Sequence, residues 1–197
     1  MVVCAIMVVI AGVVMANQSK FGGQVLLQNF AYDVALSLRQ AQVYGISVQQ
    51  YGTGGFRAGY GIHIDRSTSD TRYILFADSS GTTPNGIYNG PTQDQVRTEM
   101  TITRGYRISK LCVPAGSNAD SCEEASMIDV VFMRPEPDAL ISWRESGRGA
   151  MLHTCLPDRD DCGESARIVM LSPRGDTMSI TVSNNGQIAV DQVIANN

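Results

Sequence analysis

Residues 1–16, MVVCAIMVVIAGVVMA, carry no charged side chain and consist almost wholly of Val, Ile, Met and Ala. A helix of that length rises about 24 Å, against about 30 Å of bilayer hydrocarbon, so the run is short for a full membrane span. Polarity rises at Asn17, Gln18, Ser19 and Lys20, as expected at a headgroup boundary. The pair Gly22-Gly23 follows, and each glycine weakens a helix by about 1 kcal/mol relative to alanine, which predicts a bend or local unwinding. Beyond it Leu27, Phe30, Ala31, Val34, Leu38 and Ala41 recur at three- and four-residue steps opposite Gln24, Gln28, Ser37 and Gln40. That spacing predicts an amphipathic helix whose apolar stripe packs on the rest of the chain, with Gly45 as its C-terminal cap.

Past a glycine-rich link, YGTGGFRAGYG, the period changes from 3.6 to 2. Tyr60, Ile62 and Ile64 alternate with Gly61, His63 and Asp65, and RYILFA at 72–77 forms a second run after the turn RSTSD, which together predict a hairpin. Residues 78–94 read as a long polar loop. Further strand-like runs fall at 100–108, 127–133, 139–143, 167–171, 178–182 and 187–190. Ser183-Asn184-Asn185-Gly186 predicts a type I′ hairpin, and RPEPDA at 134–139 a proline-fixed turn. With 197 residues and no internal repeat, one domain plus an appendage accounts for the length.

Charge narrows the partners. A net charge of −4 and a pI near 5.1 argue against a broad basic surface that gathers phosphate backbones, so DNA is not the default partner. Five cysteines are present: Cys4 in the apolar run, then Cys112 with Cys122 and Cys155 with Cys162. The short intervals, filled with Pro, Gly, Asn or Asp, favour two local disulfides, each contributing about 2.5 kcal/mol through loop closure. Such bridges persist outside the reducing cytosol. A four-thiolate zinc site is the rival reading, but its knuckles are spaced more tightly.

An apolar N-terminal helix of the type MVVCAIMVVIAGVV, running into an amphipathic half and then a β domain, resembles the type IV pilin and type II secretion pseudopilin superfamily. LSLRQAQVYGISV, GYGIHID, YILFAD and the closing strands around NNGQIAV make it similar to the GspH/FimT minor branch. The resemblance implies an α+β fold: a long N-terminal pilin-type helix packed on a C-terminal antiparallel β-rich globular domain. Residues 1–45 are then the assembly helix, with 1–20 for membrane or filament core and 21–45 amphipathic, and 46–197 the head domain. It implies a structural, non-enzymatic minor subunit of a type IV pilus or type II secretion filament. Such a subunit is held before assembly by a single pass in the inner membrane, with its head outside the cytoplasm. The partners implied are other pilins or pseudopilins, the membrane, and a prepilin peptidase acting on a precursor with a basic leader. Family members begin with a segment like Phe-Thr-Leu-Ile-Glu, after which residues like Met1 follow; the leader and the glutamate are expected upstream. The helix residues expected to make the assembly contacts are Val2, Val3, Ile6, Val9, Ile10 and Val13, with Gly22 and Gly23 at the bend.

No catalytic motif or cofactor-binding loop occurs. His63, on the Gly61/Asp65 side of its strand, reads as a surface histidine, and His153 has no partner motif. Asp78, Ser80, Thr82 and Asn85 offer oxygen ligands for Ca²⁺ within one loop, and Asp158, Asp160 and Asp161 form a denser acidic cluster, but neither has a defined calcium pattern. Arg174-Gly175-Asp176 matches an adhesion tripeptide and also suits a turn. Arg104, Arg144 and Arg148, with Trp143, are the candidate patch for DNA capture at a filament tip. A secreted binding or adhesion module with a cleavable signal is the alternative function. Mass mapping of non-reduced peptides is expected to return the Cys112–Cys122 and Cys155–Cys162 fragments; a Cys112–Cys155 link would overturn local pairing.

Overall fold

The computed structural model describes residues 2–47, 58–79, 84–117, 122–147, 150–155 and 162–192, the side chains of 15–21 excepted. Among them one helix, α1 (Val2–Ile46), precedes ten strands. These are β1 (Gly59–Asp65), β2 (Arg72–Asp78), β3 (Gln95–Thr101), β4 (Arg107–Cys112), β5 (Glu124–Phe132), β6 (Ala139–Glu145), β7 (Leu152–His153), β8 (Ser165–Leu171), β9 (Thr177–Ser183) and β10 (Ile188–Gln192). All pairings are antiparallel and form one sheet, in the order β10-β9-β8-β4-β5-β1-β2-β3, with β6 on the other edge of β5 and β7 beyond it.

Strand β5 is the hinge of this arrangement. Its first residues pair with the end of β4, Leu111 opposite Ala125, and its remainder pairs with β1, from Tyr60 opposite Phe132 to Asp65 opposite Met127. Alternation along it sorts the two faces of the sheet. Ile128, Val130 and Phe132 join Tyr60, Ile62, Ile64, Tyr73 and Leu75 in a core that Leu27, Ala31, Val34, Leu38 and Ala41 of α1 seal from above. Met127, Asp129 and Val131 occupy the opposite face.

The expected fold class is corrected here. The body of the molecule is the ten-stranded sheet, and no long pilin-type helix packs along it. Residues 2–14 are helical, but every side chain among them is exposed and none joins the core. Among the described side chains, those of α1 that join the core run from Leu27 to Ala41. The physical reason is composition: the first run has no polar face to set against water, so nothing orients it toward a domain. No helix among the described residues is long and apolar enough to cross a membrane, and the expected single-pass span lacks that support.

Several local expectations also change. The backbone stays helical through Gly22 and Gly23. Gly45 is not a left-handed cap but the penultimate residue of α1, facing β5: a Cβ there would lie 2.3 Å from the Phe132 carbonyl oxygen. The run 100–108 is not one strand. It divides into the end of β3 and the start of β4 around a turn in which Arg104 and Gly105 both adopt positive φ. The β9–β10 turn is a hairpin, but only Gly186 has positive φ, as in a type I turn closed by a glycine bulge rather than a type I′ turn. Strand β7 and the extension of β6 to Glu145 carry no alternation of their own; the extension follows from pairing with β5, and β7 from pairing with β6. Residues 48–57, which hold most of the glycine-rich link, lie outside the described residues.

Both local disulfides are present, Cys112–Cys122 and Cys155–Cys162, and Cys4 is a free, exposed thiol. The close approach at Gly45 generates paired expectations. Gly45→Ala should destabilise the chain by about 2 kcal/mol, because the overlap is with backbone and the helix end must lift. Gly22→Ala meets nothing within 4 Å and should stabilise by up to about 1 kcal/mol through helix propensity. Urea midpoints of the two variants check both signs; a neutral Gly45→Ala would refute the close packing.

Candidate functional site

Two surfaces stand out from the sheet. The first is the apolar end of α1. Val2, Val3, Ile6, Val9, Ile10 and Val13 are between 53% and 74% exposed, and Met7, Val8 and Val14 beside them are also more than half exposed. The apolar side chains point around the whole circumference, so no single groove can cover them.

The second surface lies on the sheet face away from α1. Residues 84–94 run across β1, β2 and β5 there, and a loop laid on a sheet must find partners for its backbone groups. Three buried carboxylates supply them. Asp78 accepts the Gly86 amide at 2.7 Å, Asp94 accepts the Asn89 and Ser79 amides at 2.6 and 3.0 Å, and Asp129 accepts the Tyr88 amide at 3.3 Å. Ser142, directly across from Asp129 on β6, donates to the Gly86 carbonyl at 2.9 Å and accepts the Cys155 amide at 2.8 Å. Gly86 has φ +76°, and a Cβ there would lie 2.2 Å from the Cys155 carbonyl oxygen, so the loop and the second disulfide are packed backbone to backbone.

Asp129 also holds His63. The two residues are register partners across β1 and β5, and Nδ1 lies 2.7 Å from Oδ1. Burial pushes the Asp129 carboxyl above its ordinary value, and the His63 hydrogen bond pulls it back only in part. The His63 ring packs on Tyr88 with centroids 4.8 Å apart, and Tyr88 in turn packs on Phe76 at 5.1 Å. His63 is therefore not the surface residue its strand position predicted. The signal in the sequence was Asp129 itself, an acid inside the apolar run MIDVVF, since a buried carboxylate requires a partner.

A cleft of about 380 Å³ opens beside this pair, between the loop and strands β1 to β3, with His63, Asp65, Arg72, Tyr88 and Glu99 in its walls. Asp65 organises the β1–β2 turn by accepting the Ser67 amide at 2.8 Å and the Thr68 hydroxyl at 2.8 Å. Burial pushes its carboxyl up, but the hydrogen bonds from Ser67 and Thr68 outweigh that and leave it below the usual range. Arg72 pairs with Glu99 at 2.9 Å across β2 and β3.

The other candidates separate. Asp78 and Asn85 are engaged by backbone amides, Asn85 accepting from Ile87 at 3.2 Å, rather than turned together toward a cation. Ser80, Thr82, Asp158, Asp160 and Asp161 lie outside the described residues, as does Arg148. Among the described residues no group of three or more His, Cys, Asp or Glu side chains is placed to hold a metal ion. Arg104 sits in the turn before β4, whose Gly105 lies against Pro173, whereas Arg144 is on β6, reached through β5 at the other end of β4. Sheet register does not assemble them into a patch. In the 174–176 turn the Asp176 carboxylate accepts the Ser172 hydroxyl at 3.0 Å, and Gly175 has φ +93°, so that tripeptide is built as turn chemistry. His153 stacks on Trp143 with centroids 4.3 Å apart and lies 3.2 Å from Glu145.

Compared with models of protein families, with curated proteins and with solved structures, the chain matches none. The Asp129 geometry makes a stability prediction. Asp129→Ala should cost about 2–4 kcal/mol, because it leaves the His63 and Tyr88 donors without their acceptor. A carboxyl whose folded-state pKa is raised contributes fully below its ordinary value of 3.8 and loses that contribution as pH rises through the raised value. The urea midpoint of the native chain, measured against Asp129→Asn, should therefore fall as pH rises above the ordinary carboxyl value of 3.8. A midpoint difference that rises with pH would contradict the burial of this acid.

Proposed function

We propose that this chain is a structural, non-enzymatic subunit of a helical filament of the pilin or pseudopilin kind. In that filament residues 2–14 are covered by the same segments of neighbouring copies. The observation that carries the reading is the apolar end of α1, exposed on all sides and free of charge. Burying the exposed parts of nine large side chains contributes on the order of 1 kcal/mol each, which is enough to drive association. An apolar segment without a preferred face suits a surrounding bundle better than a flat dimer contact. Before assembly the same segment rests in the apolar layer of the inner membrane with the sheet domain outside the cytoplasm. The two disulfides agree with that side of the membrane. Passing from lipid to neighbouring helices, the segment meets no water and needs no new polar contacts.

Cys4, inside this segment, is a built-in reporter. Mild oxidation of the assembled full-length chain should link subunits through Cys4, and Cys4→Ser should abolish the link. A double substitution Val9→Asp, Ile10→Asp should lower the linked fraction about tenfold or more, since each charge must leave water to enter the bundle, while leaving the near-ultraviolet spectrum of the sheet domain unchanged. A chain that stays monomeric with Cys4 fully reactive to maleimide, or a mature protein that starts near Asn17, would sink the assembly reading.

A further inference from the structure

The part of α1 that packs on the sheet turns a second face away from it, and that face has a period of its own. Leu27, Val34 and Ala41 recur at seven-residue steps on the packed side and are at most 2% exposed. In a heptad that places them at f, the a and d positions are Val25, Asn29, Tyr32, Leu36, Arg39, Val43 and Ile46, on the far side of the helix. All of these are exposed. Val25, Tyr32, Leu36, Val43 and Ile46, at 39% to 62%, are the exposed large hydrophobic residues between 22 and 46. Off this stripe the exposed side chains of the same stretch are polar: Gln24, Asp33 and Gln40. Alternating steps of four and three, held over about 33 Å of helix, make the seam of a two-stranded coiled coil.

The composition of the seam selects a second copy of this chain as its occupant. Asn29 stands at an a position among apolar residues. Against an apolar partner its amide would lose water without replacement, whereas against Asn29 of an identical helix in register each amide meets the other. Across the same pair Gln28 at g comes opposite Asp33 at e, a donor facing a carboxylate that only accepts. Arg39, the one charged residue of the seam, is drawn aside to the Ile188 carbonyl at 3.3 Å. Carried back along the unbroken helix, the same phase reaches Val8 at a and Cys4 and Ala11 at d, inside the segment assigned to contacts between copies.

We infer that residues 25–46 of α1 pair with the same residues of a second copy as a parallel, in-register, two-stranded coiled coil. Leu36 and Val43 form its a layers, and Asn29 fixes its register. The orientation rests on the filament reading, because two chains whose residues 2–14 share one apolar layer lie parallel.

The test places single cysteines in the full chain carrying Cys4→Ser, in non-ionic maltoside micelles, and oxidises them with copper phenanthroline. Leu36→Cys and Val43→Cys should each link to a second copy at least about tenfold faster than Gln24→Cys, which is exposed but off the seam. Mixed Leu36→Cys and Val43→Cys chains should link like to like, since a one-heptad stagger lies about 10 Å out of register. Asn29→Ile should let unlike links appear. Leu36→Glu should lower linking at Val43→Cys about tenfold, because the charge must leave water, and should leave the near-ultraviolet spectrum unchanged, since Leu36 lies outside the core. Native Cys4 separates this pairing from the filament. Linking at Cys4 without linking at Leu36→Cys would overturn the seam and leave the filament, whereas linking at Leu36→Cys in a chain whose native Cys4 does not link would uphold the seam alone. Equal rates at Gln24→Cys and Leu36→Cys, or unlike links as frequent as like ones while Asn29 is present, would overturn the pairing. So would a Leu36→Cys thiol shielded from maleimide that never links, which would assign the face to the detergent layer.

Discussion

A loop that lies on a buried sheet face brings its amides and carbonyls with it, and each needs a partner that water cannot supply. That constraint shapes one whole side of this protein. On the side of α1 the sheet is sealed by apolar side chains, which need only volume and shape. On the other side it is covered by residues 84–94, and the sheet answers with Asp78, Asp129 and Ser142 directed at backbone groups, while Asp94 ties the loop to its own base. Burying acids carries a desolvation cost of several kcal/mol each if they are left unpaired. Hydrogen bonds to charged acceptors recover part of it, and His63 supplies a further donor for Asp129. The cleft follows from this: where the loop stops short of β3, the same acid-rich face meets solvent.

Much of this architecture was legible in the chain. The steps from Leu27 to Ala41 identify the face of α1 that packs, because a 3.6-residue period survives any tertiary context in which one side of a helix is buried. The alternation at Tyr60, Ile62 and Ile64 and the runs in β2, β8 and β9 are equally local. The cysteine pairs were readable because each bridge closes a short turn, so pairing needs no knowledge of the fold. What stayed hidden is long-range. His63 and Asp129 are separated by most of the first half of the domain, and only the register of β1 on β5 sets them side by side. The true reason for Gly45 is the Phe132 carbonyl, which no window around Gly45 contains. Strand β7 has two residues and no pattern, and exists because β6 offers it an edge.

The overreach lay in the fold class: the resemblance implied one long pilin-type helix packed on a β domain, although its two halves were read with different roles. In the structure helical backbone is shared but purpose is not: a stripe with one wet face can choose a side, and a run without one cannot.

That division has a consequence for how the chain tolerates change. At Gly23 the carbonyl oxygen accepts the hydroxyl of Tyr106, in the turn before β4, at 2.9 Å, and residues 2–14 contribute no side chain to the core. Substitutions among residues 2–14 should therefore leave the packing of the domain unchanged. The extension can exchange Val, Ile, Leu and Met without disturbing the core, while the acids beneath the 84–94 loop, each held by particular backbone amides, tolerate little exchange.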